Sequence, residues 1–226
     1  MRQTWQDLLF AHWPVPQELL RPLIPDGLEV QSFDGSAWVG ITPFRMSGVT
    51  LRLMPDLPWI SAFPELNVRT YVERGGRAGI WFLSLDAGNA LAVWAARRFF
   101  HLPYHRAHIQ VRSQGEAIDY PLRRLGKGDA PAFAATYRPV SDAYESVPGT
   151  LEHWLTERYC LYAQCRRGRL YRAEVHHVPW PLQAASCEIR VNTMLRPHGL
   201  EVKQPAPLLH FARRLDVVVW PPEQVS

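Results

Sequence analysis

Residues 65–72 alternate strictly between two chemistries, and a period of two restricts what the surrounding chain can become. In an extended strand Leu66, Val68, Thr70 and Val72 share one face, while Glu65, Asn67, Arg69 and Tyr71 share the other. Gly75-Gly76 then turns the chain into residues 79–86, a mostly apolar return strand. The same grammar recurs along the sequence. Pro25-Asp26-Gly27 marks a turn after a short helix over residues 16–21; residues 28–33 alternate up to Asp34-Gly35, and residues 37–44 return as a strand. Further strands are expected at 106–113, 115–121, 132–139, 170–178, 182–192 and 214–220. Helices are few. Asn89 is placed to cap one over residues 90–100, with Pro103 beyond its end, and residues 151–159 read as another.

This pattern predicts a mainly β chain (α+β) whose antiparallel sheets close or fold on themselves, in one domain over residues 1–226. With 47% hydrophobic residues in 226, the chain can bury a sizeable core. No run of about 18 apolar residues is present, so no membrane partner is expected. The opening residues, MRQTWQDLLFAHWPVP, lack the apolar core and small-residue cleavage site of a signal peptide. Cys160, Cys165 and Cys187 form neither a paired framework nor a metal spacing, and read as reduced thiols of a cytoplasmic protein. The net charge of +4 comes from Arg, since Lys occurs only at positions 127 and 203. A GC-rich genome produces the same bias, and with no compact basic stripe no nucleic-acid partner is expected. Aromatic-rich surfaces permit a homo-oligomer without requiring one.

Three constellations could carry chemistry. On the residue 65–72 strand, neighbours on one face are about 6.6 Å apart, which aligns a carboxylate, an amide and a guanidinium. A solvated sheet face would alternate in the same way. The mixed side-chain types, and the Pro-containing loop over residues 48–63 that could fold across them, favour a lined cavity. The second is the bend from His101 to Arg106, at a helix end, where side chains often reach a pocket mouth. The third combines residues 157–162 with His176-His177 and Trp180. Adjacent histidines on a strand point to opposite faces, so no metal site is expected there, and Trp180 between two prolines reads as a packing wedge. There is no G-x-S-x-G elbow, phosphate loop or G-x-G-x-x-G, and no cofactor is expected.

The stretches LLFAHWPVP, LIPDGLEV, FPELNVRTYV, GIWFLSLDA, FHLPYHRA, LEHWLTERYCLY and HHVPWPLQ together resemble the YqjF-like family of uncharacterised bacterial proteins over nearly the whole chain. That family is in turn similar, more distantly, to the acetoacetate decarboxylase superfamily. The likeness rests on Pro25-Asp26-Gly27-Leu28, on Glu65, and on residues 86–103. It implies a cone-like antiparallel barrel around a polar pocket. In the decarboxylases two adjacent lysines follow the matching proline; one forms a Schiff base and its neighbour lowers its pKa by like charge. Here those positions are Tyr104 and His105, neither of which forms a stable imine, so Schiff-base decarboxylation is not expected.

Three functions stay open at this level. The first is an enzyme acting on a small carboxylate or oxo acid, with Glu65 and His105 as acid and base and Tyr104 as proton donor. Arg69 would clamp an anion, and Asn67, Tyr71 and Arg106 would complete the substrate site. The second is a binding module for a small anionic or apolar ligand, held through Arg69 and the aromatic residues. The third is an internal hydrogen-bonded network with no ligand at all.

Overall fold

The computed structural model describes residues 1–50, 62–202 and 206–225. The Gly-Gly hairpin organises it. Gly75 and Gly76 take φ of +55° and +73°, values that L side chains rarely adopt, and join β4 (Phe63–Arg74) to β5 (Arg77–Ala87). Before them run β1 (Arg2–Val15), helix α1 (Gln17–Leu20), the two-residue β2 (Glu29–Val30) and β3 (Ala37–Thr50). After β5 come α2 (Ala90–Ala95), then β6 (Tyr104–Ile109), β7 (Arg112–Gln114), β8 (Ala117–Arg124) and β9 (Ala132–Pro139). Helix α3 (Leu151–Thr156) precedes β10 (Cys160–Gln164), β11 (Leu170–His176), β12 (Leu182–Asn192), β13 (Leu208–Val219) and β14 (Glu223–Gln224).

All these strands belong to one sheet. Its path runs β14-β11-β10-β5-β6-β8-β9-β12-β13-β1-β3-β4-β2, with β7 beside β8, and further pairs β4–β5 and β11–β13 close it on itself. The expected antiparallel pairing needs one correction: β5 pairs in parallel with both β6 and β10, so the sheet is mixed. Helix α2 crosses from β5 to β6, and such a crossover returns the chain parallel to where it left, whereas β10 reaches β5 from β9 by way of α3.

Several boundaries differ from expectation. Residues 2–15 form a long strand that the period-two pattern does not reveal, because their centre is buried on both faces and reads as a continuous apolar run. The strand expected over 28–33 shrinks to Glu29–Val30 plus a Phe33–Ser36 bridge. The helix from residue 90 widens to a π-helical turn over Ala96–Phe100 and ends at His101 with φ of +56°. The helix from residue 151 stops at Thr156. Of the loop expected over 48–63, residues 48–50 belong to β3 and Phe63 to β4, Ala62 precedes β4 as exposed irregular chain, and residues 51–61 lie outside the described residues.

Strand β4 is buried on both faces and separates two apolar clusters. Leu66, Val68 and Val72 pack into the first, with Tyr120, Tyr137 and Phe211. The opposite face looks toward the second, which includes Phe10, Phe44, Leu85 and Trp180. Among the described residues no helix is long and apolar enough to cross a membrane.

Candidate functional site

The polar face of β4 forms the floor of a cavity of about 230 Å³. Register fixes each residue's neighbours. Glu65 lies between Phe44 of β3 and Ala87 of β5, Asn67 between Thr42 and Leu85, and Arg69 between Gly40 and Phe82. A bulge between Val68 and Arg69 keeps Phe82 and Leu85 on the cavity side together. Gly40 matters here because it has no Cβ. A methyl group there would meet the His12 ring at 2.8 Å and Arg69 Cγ at 3.4 Å, so the glycine lets both side chains cross the strand.

The walls are mainly apolar, including Trp5, Phe44, Phe82, Leu85, Phe100 and Trp180, which departs from the polar pocket implied by the sequence. Against them stand polar atoms that are buried and have no hydrogen-bond partner among the described residues. They are Gln3 Oε1, Trp5 Nε1, Thr42 Oγ1, Asn67 Oδ1, Arg69 Nε and Nη2, Arg158 Nη2 and Trp180 Nε1, and every one of these residues lines the cavity. Orphaned buried donors and acceptors are rare because each forfeits its solvation. Seven such side chains around one space mark that space as chemically unfinished.

At one end, the Tyr104 hydroxyl donates to Glu65 Oε2 over 2.8 Å. Glu65 is only 2% exposed. Burial pushes its carboxyl up to about 8; the Tyr104 hydrogen bond opposes that shift and the nearby Asp86 charge adds to it. Burial and the Glu65 charge hold Tyr104 well above the ordinary tyrosine range, so it is a neutral donor. The Glu65 backbone carbonyl accepts from Tyr120 at 2.7 Å, which fixes the strand beneath the carboxyl.

At the other end are two guanidinium groups. Arg69, 5% exposed, lies over the Phe10 ring at 4.9 Å and beside the Tyr71 ring at 5.9 Å. Arg158, 6% exposed, stacks on Trp154 at 4.4 Å and on Tyr71 at 5.0 Å. It donates to Trp154 O at 2.7 Å and Gln31 Oε1 at 2.6 Å, and its Nη2 is left over. Burial, with the like charge of Arg69 adding to it, lowers Arg158 to about 10.

The remaining residues expected at the site lie elsewhere. Tyr71 is fully buried behind the floor, with its hydroxyl 2.7 Å from His12 Nε2, and is not among the lining residues. His105 follows Tyr104 on β6 and therefore points the other way. Burial, then Arg124 and Arg97, lower it to about 4. It does not line the cavity. Arg106 is exposed and also outside the lining. Of the two adjacent histidines, His177 lines the cavity and His176 is exposed. Trp180 packs as a wedge on Trp5 and Phe10 and also lines the cavity. Sequence reasoning missed Arg158, Gln3, Trp5 and Thr42 as lining residues. The available signal was an arginine embedded among aromatics in the segment LEHWLTERYCLY. Lys127 is exposed, and Lys203 lies outside the described residues. Among the described residues no three His, Cys, Asp or Glu side chains converge as a metal site.

Solved structures with the same fold cover the whole chain at low identity. The enduracididine biosynthesis enzyme MppR, solved with pyruvate and with the condensation product of pyruvate and imidazole 4-carboxaldehyde, matches with TM-scores of 0.69 and 0.70 at 13% identity, over 90% and 89% of those chains. Acetoacetate decarboxylase of Legionella pneumophila matches at 0.65 and 14%, over 87% of that chain. An acetoacetate decarboxylase-like enzyme of Sphingomonas wittichii matches at 0.66 and 11%, over 92%. These likenesses establish an acetoacetate decarboxylase-like fold. In sequence, the uncharacterized protein YqjF of Bacillus subtilis is 48% identical over 221 residues, 98% of this chain and 90% of that protein. A family model described as an uncharacterized conserved protein, DUF2071, matches residues 2–216. The chain therefore belongs to the DUF2071 family, on an acetoacetate decarboxylase-like fold.

Proposed function

We propose that the cavity binds a small carboxylate-bearing oxo acid and that Glu65 moves a proton on it. The observation that carries this reading is Arg69: a buried guanidinium facing an apolar cavity, with Nε and Nη2 unpartnered among the described residues. A carboxylate satisfies such a fork with charge-assisted hydrogen bonds, which a neutral ligand does less well. Glu65 supplies the chemistry. In its ionised form it takes a proton from the carbon beside a carbonyl, giving the enolate, and after that proton has exchanged with water it returns one to the same carbon. Its raised pKa makes it a stronger base than an ordinary carboxylate. Tyr104 holds the carboxyl in place through its hydrogen bond. With His105 on the other side of β6, this reading assigns the transfer to Glu65 alone and uses no imine. Pyruvate bound to MppR makes oxo acids the class of compound to try. Three free thiols fit a reducing, cytoplasmic compartment.

The test is proton exchange: oxo acids whose carbonyl stands at graded distances from the carboxylate, pyruvate among them, in deuterated buffer, followed by NMR. Wild-type protein is expected to exchange the protons beside the carbonyl, and Glu65→Gln is expected to lose that activity. Binding without exchange, unchanged by Glu65→Gln, would replace this reading with that of a non-catalytic binding protein, which the mainly apolar walls favour.

A further inference from the structure

We infer that the ligand is elongated: an acid whose carboxylate is held between Arg69 and Arg158, with an apolar body running along β4 to a reacting carbon several bonds away beside Glu65. This rests on reading the cavity as a carboxylate site. It adds Arg158 as the second anchor and names the substrate class.

Two observations carry it. The first is separation. Glu65 and Arg69 are four residues apart on one extended strand, so their Cα atoms lie about 13 Å apart. Their side chains form no ion pair; the Glu65 carboxyl bonds to Tyr104. Between them the floor offers Asn67 and Thr42, flanked by Phe44, Leu85 and Phe82. A molecule with its carboxylate directly on the carbonyl carbon, such as pyruvate, cannot engage both ends. The second observation is the pairing of the cations. Both guanidinium groups flank the Tyr71 ring, and neither bonds a carboxylate among the described residues. Glu73 reaches Arg158 only through Gln31, whose amide bonds both. Two like charges buried on one ring, each with a nitrogen unpartnered among the described residues, lose solvation that an anion between them restores. Trp180 Nε1, also unpartnered, is a further donor on this lining.

The experiment is calorimetric titration with straight-chain carboxylates from acetate to decanoate and with the matching primary amides. Affinity is expected to rise about 4-fold per added methylene until the cavity is filled. Carboxylates should bind more tightly than amides of equal length. Arg158→Gln should weaken carboxylates about 10- to 100-fold and leave the amides nearly unchanged. Acetate and pyruvate binding as tightly as hexanoate, or an Arg158→Gln variant with undiminished preference for carboxylates, would overturn the inference. Arg158 also bonds Trp154 and Gln31, so Arg158→Gln could fail to fold. In that event Arg158→Lys, and the carboxylate-to-amide ratio of the wild type, decide the question. Length-graded binding without proton exchange would remove the proposed chemistry and leave the elongated acid and its two arginine anchors standing. Exchange on pyruvate without length grading would remove this inference alone.

Discussion

The hydroxyl of Tyr104 and the carboxyl of Glu65 meet over 2.8 Å inside the protein, though 39 residues separate them in the chain. The contact exists because β4 and β6 flank the same strand, β5. Removing it by Tyr104→Phe takes away the interaction that lowers the Glu65 pKa, so that pKa should rise further. Because the ionised carboxyl is the base, the wild-type exchange rate should climb with pH to a plateau above about 8. In Tyr104→Phe the midpoint should move to higher pH. A pH–rate profile with the same midpoint in both proteins would disconnect Glu65 from the chemistry.

Glu65 also sets a stability slope. Its pKa is raised from 4.5 in the unfolded chain to about 8 in the fold, so between those values the native state holds a proton that the unfolded state has released. Stability from this group is complete below pH 4.5 and is lost as pH rises through about 8. Glu65→Gln should flatten that slope and make the variant more stable than wild type in alkaline buffer, by a few kcal/mol. Urea midpoints across the range measure it; parallel curves for the two proteins would contradict it.

Asp86 and Arg124 form a buried two-pronged pair, Nε to Oδ1 and Nη2 to Oδ2, both at 2.7 Å, with Ser84 as a third partner at 3.0 Å. Asp86→Asn leaves the Arg124 charge uncompensated and should cost about 3–5 kcal/mol in denaturant titrations. The same change removes a charge that raises Glu65, so the exchange midpoint should move to lower pH. A shift upward would show that this charge does not act on Glu65.

Gly40→Ala should destabilise the fold by about 1–3 kcal/mol, since the new methyl overpacks the His12 ring and presses on Arg69. Carboxylate affinity should fall with it, because Arg69 is displaced from the floor. By comparison, a methyl group on Gly35 would meet nothing within 4 Å, though the φ of +78° there makes Gly35→Ala strained in its own right. That variant should lose stability without losing affinity in the same titration.

How much of this is readable from residue order depends on the distance over which each constraint acts. The row Glu65, Asn67 and Arg69 is a local property of one strand, and alternation places it on one face before any fold is known. The hairpin at Gly75-Gly76 is local too. Strand β1 hides because burial on both faces erases the alternation. The two ends of the cavity also draw on distant chain: Arg158 arrives from the far side of α3, 89 positions after Arg69, and no periodicity relates them. Analogy of position alone puts His105 at the site. A strand that alternates can present only one of two consecutive residues to a cavity, and Tyr104 is that one.

The seam between β1 and β13 joins Arg2 to Val218 and His12 to Leu208. Gln3, Trp5 and Leu8, carried on the first of these strands, and Val219, at the end of the last, all line the cavity. A ribosome-bound chain that has not yet released β13 therefore has no finished container. Closure of that seam, which joins residues more than 190 positions apart, belongs among the late and slow events of folding, and the proposed binding of a ligand would have to wait for it.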